Sequence, residues 1–119
     1  EVSMMRKWQL VFHIDQLNTW ALVLGNVHNF LADIAAEDEA VIAVVANGSA
    51  VTVWRDGQAE IRRSIQDAAH SGTVFYFCRN ALRGNDITEE SLPDCVQTVS
   101  AGITKIVDLQ EQGYAYIKP

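Results

Sequence analysis

VFYFCRNALRGND, residues 74–86, joins an apolar run directly to a segment of polar and basic residues. The aromatic and β-branched content of residues 73–78 predicts a buried strand. Residues 79–86 predict a turn or a single helical turn, and no two-residue hairpin loop follows the strand. A strand that leaves its sheet in this way is typical of a parallel sheet.

The same alternation of strand and helix extends to both sides of this segment. Residues 18–34, 56–72 and 101–113 carry apolar residues at helical spacing, and Thr88 to Pro93 forms a short acidic turn. Because strands and helices alternate throughout, we predict an α/β fold, a three-layer α/β/α sandwich with a mainly parallel five-stranded sheet. The four further strands are predicted at 8–15, 40–46, 95–100 and 114–118.

Local signals predict where the helices begin and end. Asn18 and Asp56 are candidate N-caps, and Gly72 and Gly113 are candidate stops. The last helix is expected to bury one apolar face, which consists of Ile103, Ile106, Val107 and Leu109.

The chain has the length of one ordinary domain. Its 119 residues are 49% hydrophobic, which is enough for one core. We assign residues 8–119 to a single domain and residues 1–7 to an N-terminal extension or an expression remnant.

Charge and hydropathy exclude several classes of partner. The net charge is -6, and a nucleic acid or an anionic membrane surface is bound mainly through clustered Lys and Arg. No apolar run approaches the roughly 20 residues that cross a bilayer. We therefore expect a cytoplasmic protein that binds neither nucleic acid nor membrane.

In parallel sheets, functional sites gather outside the carboxyl ends of the strands. Those ends are predicted at 13–15, 47–49, 78–80 and 100–102. Cys78 lies at one of them, where turn N–H groups and the charge of Arg79 or Arg83 would favour its thiolate form. The alternative is that Cys78 only packs under the turn, since free cysteine is among the most buried residue types. Cys95 is predicted at the opposite end of the sheet, too far away for a disulfide.

Several segments together resemble the DsrE/DsrF-like family, also called the YchN-like group. They are VFHID, VVANG, FCRNALR with Ile87 close behind it, and SAGITKIVDLQEQGYAYIKP. The most specific are CRNALR and the tail LQEQGYAYIKP, and the resemblance extends from about residue 8 to the end of the chain.

This resemblance implies a five-stranded parallel sheet in a homo-oligomer, often a trimer or hexamer. It also implies intracellular sulfur transfer between donor and acceptor proteins, without an organic cofactor. Family members carry sulfane sulfur as a persulfide on a cysteine at the end of a central strand, and Cys78 matches that position.

Other residues near the strand ends are candidates for supporting roles. His13 could take the thiol proton or stabilise a persulfide, although a structural hydrogen bond is the simpler interpretation. Arg79, Asn80 and Arg83 could bind an anionic sulfur donor, and the Asn47-Gly48 turn could present N–H groups to an anion. No metal site is predicted, because His28 and His70 form no ligand pair.

Two other functional hypotheses remain open. One is a non-catalytic oligomeric domain that binds a small anion or nucleotide-like ligand, with Cys78 in a packing role. The other is a purely structural subunit of a larger assembly, for which an exposed apolar face is expected.

Overall fold

A computed structural model describes residues 5–119 as one five-stranded sheet with helices on both faces. Residues 1–4, most of the predicted extension, lie outside the described residues. The first strand begins at Lys7, one residue before the predicted start. The strands are β1 Lys7–Ile14, β2 Glu39–Ala46, β3 Val74–Cys78, β4 Val96–Val99 and β5 Ala115–Ile117.

The sheet is fully parallel, in the order β4-β3-β2-β1-β5. Chain order runs outward from β1 to β4, and β5 then returns to the other side of β1. The register pairs Ile14 with Ala46, Ala46 with Phe77, and Cys78 with Val99. The carboxyl ends of four strands therefore lie level along one edge of the sheet.

Five helices cover the sheet. Apart from three 3-10 turns, they are α1 Trp20–Asp33, α2 Val53–Asp56, α3 Ala59–His70, α4 Arg79–Gly84 and α5 Gly102–Glu111. The larger core, on one face of the sheet, packs Phe12, Val44 and Phe77 against side chains of the first four helices, including Trp20 and Leu82. The smaller core, on the other face, packs Val11, Ala43 and Val45 against α5 alone. The predicted three-layer fold is confirmed.

Two of the predicted helix caps are wrong. A 3-10 turn, Leu17–Thr19, precedes α1, and the N–H of Leu17 donates to the Ser49 hydroxyl at 3.1 Å. Asn18 caps neither element. Asp56 ends α2 and binds Arg55, and Gln58 precedes the first residue of α3. A contact with distant Ser49 forms at the start of the first helical segment, whereas the side chain of Gln58 makes no capping hydrogen bond to α3.

The predicted buried face of the last helix is only half correct. Ile106 and Leu109 are buried against the sheet, whereas Ile103 and Val107 are 61% and 51% exposed. Because α5 is the only helix that residues 5–119 place on this face, no neighbouring helix in that part of the chain covers its second apolar stripe. Gly113 ends the helix with a positive φ of 96°, as predicted.

Candidate functional site

Four polar or reactive side chains lie in a row along the carboxyl edge of the sheet, one from each of four neighbouring strands. In spatial order they are Tyr116, His13, Asn47 and Cys78, and we call them the carboxyl-edge row. All four lie on the α5 face, because successive strand residues point to opposite faces and Val11, Val45 and Tyr76 occupy that face. The sequence predicted three of these residues individually, and the fold brings them together.

Asn47 and Cys78 are lateral neighbours in this row. Ala46 pairs with Phe77, so the next residues, Asn47 and Cys78, stand at the same level. Asn47 keeps an extended backbone, with φ at -137°, and its N–H continues the ladder by donating to the Ile14 carbonyl at 3.0 Å. Since neighbouring strands are about 4.8 Å apart, the two side chains are within reach of each other.

His13 uses both ring nitrogens within the row. Its Nδ1 lies 2.7 Å from the Tyr116 hydroxyl, and its Nε2 lies 3.0 Å from Asn47 Oδ1. The amide oxygen can only accept, so Nε2 must donate, and in the neutral ring Nδ1 then accepts from the tyrosine hydroxyl. Direct proton transfer from Cys78 to His13 would therefore require one of these two hydrogen bonds to break.

Helix α5 begins directly over Cys78. A Cβ placed on Gly102 would lie 3.3 Å from Cys78 Cβ, 3.3 Å from Val45 Cγ1 and 3.5 Å from Asn47 Cβ. The first-turn N–H groups of any α-helix have no intrahelical acceptor, and Ala101, at the N-cap position of this one, makes no side-chain capping hydrogen bond within the described residues. Those N–H groups and the helix dipole favour negative charge beside the sulfur.

Cys78 is itself the residue that precedes α4, and it is only 6% exposed. Burial of this degree is also what a packing cysteine would show. What distinguishes Cys78 is its polar surroundings, since Asn47 and the start of α5 border it on the side away from the larger core.

The basic residues after Cys78 already have partners. Arg79 Nε donates to Glu89 Oε1 at 3.0 Å, and Arg79 Nη2 donates to Thr98 Oγ1 at 3.1 Å. Arg83 donates to Asn80 Oδ1. An anionic donor bound at Arg79 would therefore have to displace Glu89, whose pKa is held below its usual value mainly by the Thr98 hydroxyl and next by Arg79.

The Asn47-Gly48 turn packs closely on the end of β1. Gly48 has φ at 53°, and a Cβ there would lie 2.5 Å from the Asp15 carbonyl oxygen. The turn's Ser49 N–H donates to the same Asp15 carbonyl at 3.1 Å. The glycine is thus required by the close approach of two backbone segments, and one of the turn's N–H groups is already used.

Cys95 lies at the opposite end of the sheet from Cys78, as predicted. It directly precedes Val96, which pairs with Phe75 at the start of β3, and both cysteines are free thiols. Partial burial raises the pKa of the Cys95 thiol, and nearby Asp94 adds to this effect. These features favour a packing role for Cys95.

Within residues 5–119, no three His, Cys, Asp or Glu side chains are grouped so that they could bind a metal ion. Nor does that part of the chain contain a helix that is both long and apolar enough to cross a membrane.

Two residues of this site were not singled out from the sequence. Tyr116 could not be recognised as part of the site, because nothing in the sequence places β5 beside β1. Gly102 was included only as part of a strand end, although its lack of a side chain lets α5 approach Cys78. The motif Ser-Ala-Gly just before a helical pattern was the available signal.

Comparison with known proteins bears on both the family and the fold. The model of the DsrE/DsrF-like family matches residues 27–119. No curated protein matches the chain. The chain is 33% identical to the protein of unknown function MTH1491 from Methanobacterium thermoautotrophicum, whose solved structure matches over 94% of this chain and 99% of that one with a TM-score of 0.83.

The crystal structure of the ychN protein from E. coli is similar in fold alone. It matches with a TM-score of 0.65 at 12% identity, over 93% of this chain and 99% of that one. The family match covers most of the residues, including the carboxyl-edge row from Asn47 onward. The chain therefore belongs to the DsrE/DsrF-like family.

Proposed function

We propose that this protein carries sulfane sulfur as a persulfide on Cys78. The family is associated with intracellular sulfur relay. The observation that carries the proposal is the position of Cys78, at the carboxyl end of an interior strand, beside Asn47 and under the uncapped start of α5. These surroundings favour an anionic sulfur at a place where parallel sheets carry their sites.

The chemistry needs no cofactor. The Cys78 thiolate attacks the outer sulfur of a donor persulfide, a new S–S bond forms, and the donor's own S–S bond breaks to release its thiolate. An acceptor thiolate then attacks the outer sulfur of the Cys78 persulfide in the same way. Each transfer conserves sulfur atoms and electrons, so no external oxidant or reductant is involved.

We place the protein in the cytoplasm, with sulfur donor and acceptor proteins as partners, and as a homo-oligomer. Support for the oligomer comes from the α5 face, where Ile103, Val107 and Tyr116 are exposed and no second helix of the described residues covers them.

A second candidate function is a binding domain in which Cys78 only packs. It is favoured by the burial of Cys78 and by a separate cleft of about 720 Å³ between the starts of α1 and α3. The cleft presents the polar side chains of Gln16, Asn18 and Gln58 beside Trp20 and Ile61, which would suit a small, partly apolar ligand.

Mass spectrometry of the intact protein separates the two functions. The sulfur-carrier function predicts that, after incubation with polysulfide, the native protein gains a reducible adduct of one sulfur atom. It predicts that Cys78→Ala gains no such adduct. Cys95→Ser is the matched control, because it removes the other thiol and should leave the adduct in place. A folded protein that gains no adduct on Cys78 would contradict sulfur carriage and favour the binding domain.

A further inference from the structure

We propose that Asn47 donates a hydrogen bond to the sulfur of Cys78 when that sulfur is anionic, as a thiolate or a persulfide, and that Tyr116 orients Asn47 for this through His13. This inference rests on the proposed function, since it names the groups that stabilise the reactive sulfur. Asn47 would act on the sulfur directly, whereas Tyr116 and His13 are positioning residues.

The first step is the orientation of the His13 ring. The Tyr116 hydroxyl lies 2.7 Å from Nδ1, and a neutral imidazole has only one N–H. When the hydroxyl donates to Nδ1, the ring proton must be on Nε2. That tautomer donates to Asn47 Oδ1 at 3.0 Å.

The second step is the orientation of the Asn47 amide. Because Oδ1 faces Nε2–H of His13, the NH₂ group of the same amide must face away from the histidine. Among residues 5–119, this NH₂ group donates to no acceptor, and it forms no hydrogen bond with the neutral thiol of Cys78. The contact with the sulfur thus belongs to its anionic state. Asn47 therefore has two N–H donors to offer on the side away from β1.

The third step is the position of the sulfur. Cys78 is the neighbour of Asn47 on the side opposite His13, because β2 lies between β1 and β3. The Cβ atoms of Asn47 and Cys78 both contact the Cβ position of Gly102, at 3.5 and 3.3 Å, so they flank the same point. A thiolate or a persulfide anion there is a hydrogen-bond acceptor, and donors to a charged group form the stronger class of hydrogen bond.

The consequence of losing the tyrosine hydroxyl follows from this geometry. Without a donor at Nδ1, a neutral His13 can move its proton to Nδ1, which leaves a lone pair on Nε2 facing Asn47. The amide can then rotate to donate its NH₂ group to Nε2, and its oxygen faces Cys78. An oxygen beside an anionic sulfur is repulsive, so the reactivity of Cys78 falls.

Tyr116→Phe tests the chain of contacts, with Tyr114→Phe as the matched control. Tyr114 packs against the smaller core, and its hydroxyl has no partner among the hydrogen bonds of the described residues. Long-range ¹H–¹⁵N spectra at pH 8 should show the Nε2–H tautomer of His13 in the native protein and in Tyr114→Phe. Tyr116→Phe should show a mixture of tautomers.

The donor itself is tested in a Cys95→Ser background, where Cys78 is the single thiol. At a pH at which Cys78 is a thiolate, the Asn47 side-chain amide signals should shift when Cys78 is replaced by Ala, and those of Asn80, which binds Arg83, should not. Alkylation of Cys78 by iodoacetamide should slow about tenfold in Asn47→Ala and about threefold in Tyr116→Phe. The double variant should be no slower than Asn47→Ala, because the tyrosine acts through the asparagine.

Unchanged Asn47 signals in Cys78→Ala, or additive losses in the double variant, would overturn the inference. The amide signals test the contact between Asn47 and the Cys78 sulfur even if iodoacetamide does not reach Cys78. If the alkylation rate of Cys78 depends on Asn47 but Cys78 never gains sulfur, the sulfur-carrier function fails and the inference survives. If sulfur is loaded equally well without Asn47 and Tyr116, the inference fails and the function survives.

Discussion

Gly102 and Cys78 are packed so closely that a methyl group on Gly102 would lie 3.3 Å from Cys78 Cβ. The same methyl group would lie 3.3 Å from Val45 Cγ1, and both neighbours are buried and cannot move aside easily. We expect Gly102→Ala to lower the free energy of unfolding by roughly 1–3 kcal/mol, as overpacking does. Urea denaturation measures this change.

Gly25→Ala is the control for Gly102→Ala. Gly25 lies within α1, and apart from its chain neighbours and the nearby backbone of that helix, no atom of the described residues lies within 4 Å of the Cβ position. Alanine there should stabilise the protein by about 0.5–1 kcal/mol, since glycine is costly in a helix interior. If the two variants were equally stable, the close packing of Gly102 in α5 against Cys78 would be contradicted.

Glu89 links the loop before β4 to Arg79 and should make stability dependent on pH. Its carboxylate accepts from Thr98 Oγ1 at 2.6 Å and from Arg79 Nε at 3.0 Å, and these contacts lower its pKa in the folded state. The stabilisation is complete above the pKa of the unfolded chain, about 4.3, and is lost as the pH falls through the lower folded value.

Glu89→Gln should therefore show a smaller loss of unfolding free energy than the native protein between pH 5 and pH 3. Glu90→Gln is the control, because the neighbouring Glu90 has no side-chain hydrogen bond or ion pair in the described structure. Chemical denaturation at several pH values gives both slopes. Identical slopes for Glu89→Gln and the native protein would contradict the Glu89 contacts.

The strands and the layers could be predicted from the sequence because their signals are local. The runs at 8–15, 40–46 and 73–78 are continuous and β-branched or aromatic, which is characteristic of strands buried on both faces. Alternation with helical segments then determines that the sheet is parallel, and hence that Cys78, Asn47 and His13 share an edge.

Features that depend on strand order or on distant contacts could not be predicted. Tyr116 and His13 are 103 residues apart in the chain and meet only because β5 pairs with β1. At the start of α1, where Asn18 was the predicted cap, the Ser49 hydroxyl instead accepts from the N–H of Leu17, 32 residues away. Likewise, helical periodicity identified Ile103 and Val107 as apolar, but it cannot tell a face that packs on the sheet from one left uncovered.

Trp20 anchors the start of α1 to the larger core. Its indole Nε1–H donates to the Ala50 carbonyl at 2.9 Å, and its ring packs against Phe75 and Phe77 with ring centroids 6.0 Å apart. Trp20→Phe would leave that buried carbonyl without its donor and open a cavity. We expect the free energy of unfolding to fall by about 2–4 kcal/mol.

Trp54→Phe is the matched control for Trp20→Phe. Trp54 is half-buried at the edge of the same core, and its indole has no hydrogen bond in the described structure. Its replacement should cost less than about 1 kcal/mol. Thermal unfolding of the two variants compares them directly, and equal losses would show that the Trp20 hydrogen bond contributes little.

The exposed stripe on α5 predicts how the proposed homo-oligomer assembles. Ile103 and Val107 are one helical turn apart and are both more than half exposed, next to the end of the sheet that carries Cys78. A glutamate at either position would place a charge in an apolar interface, so Ile103→Glu and Val107→Glu should shift the native mass toward the monomer.

Leu22→Glu is the control, since Leu22 is 54% exposed on α1, on the opposite face of the sheet. Size-exclusion chromatography with light scattering measures the mass, and an oligomer that persists in both α5 variants but dissociates in Leu22→Glu would place the interface on the α1 side instead.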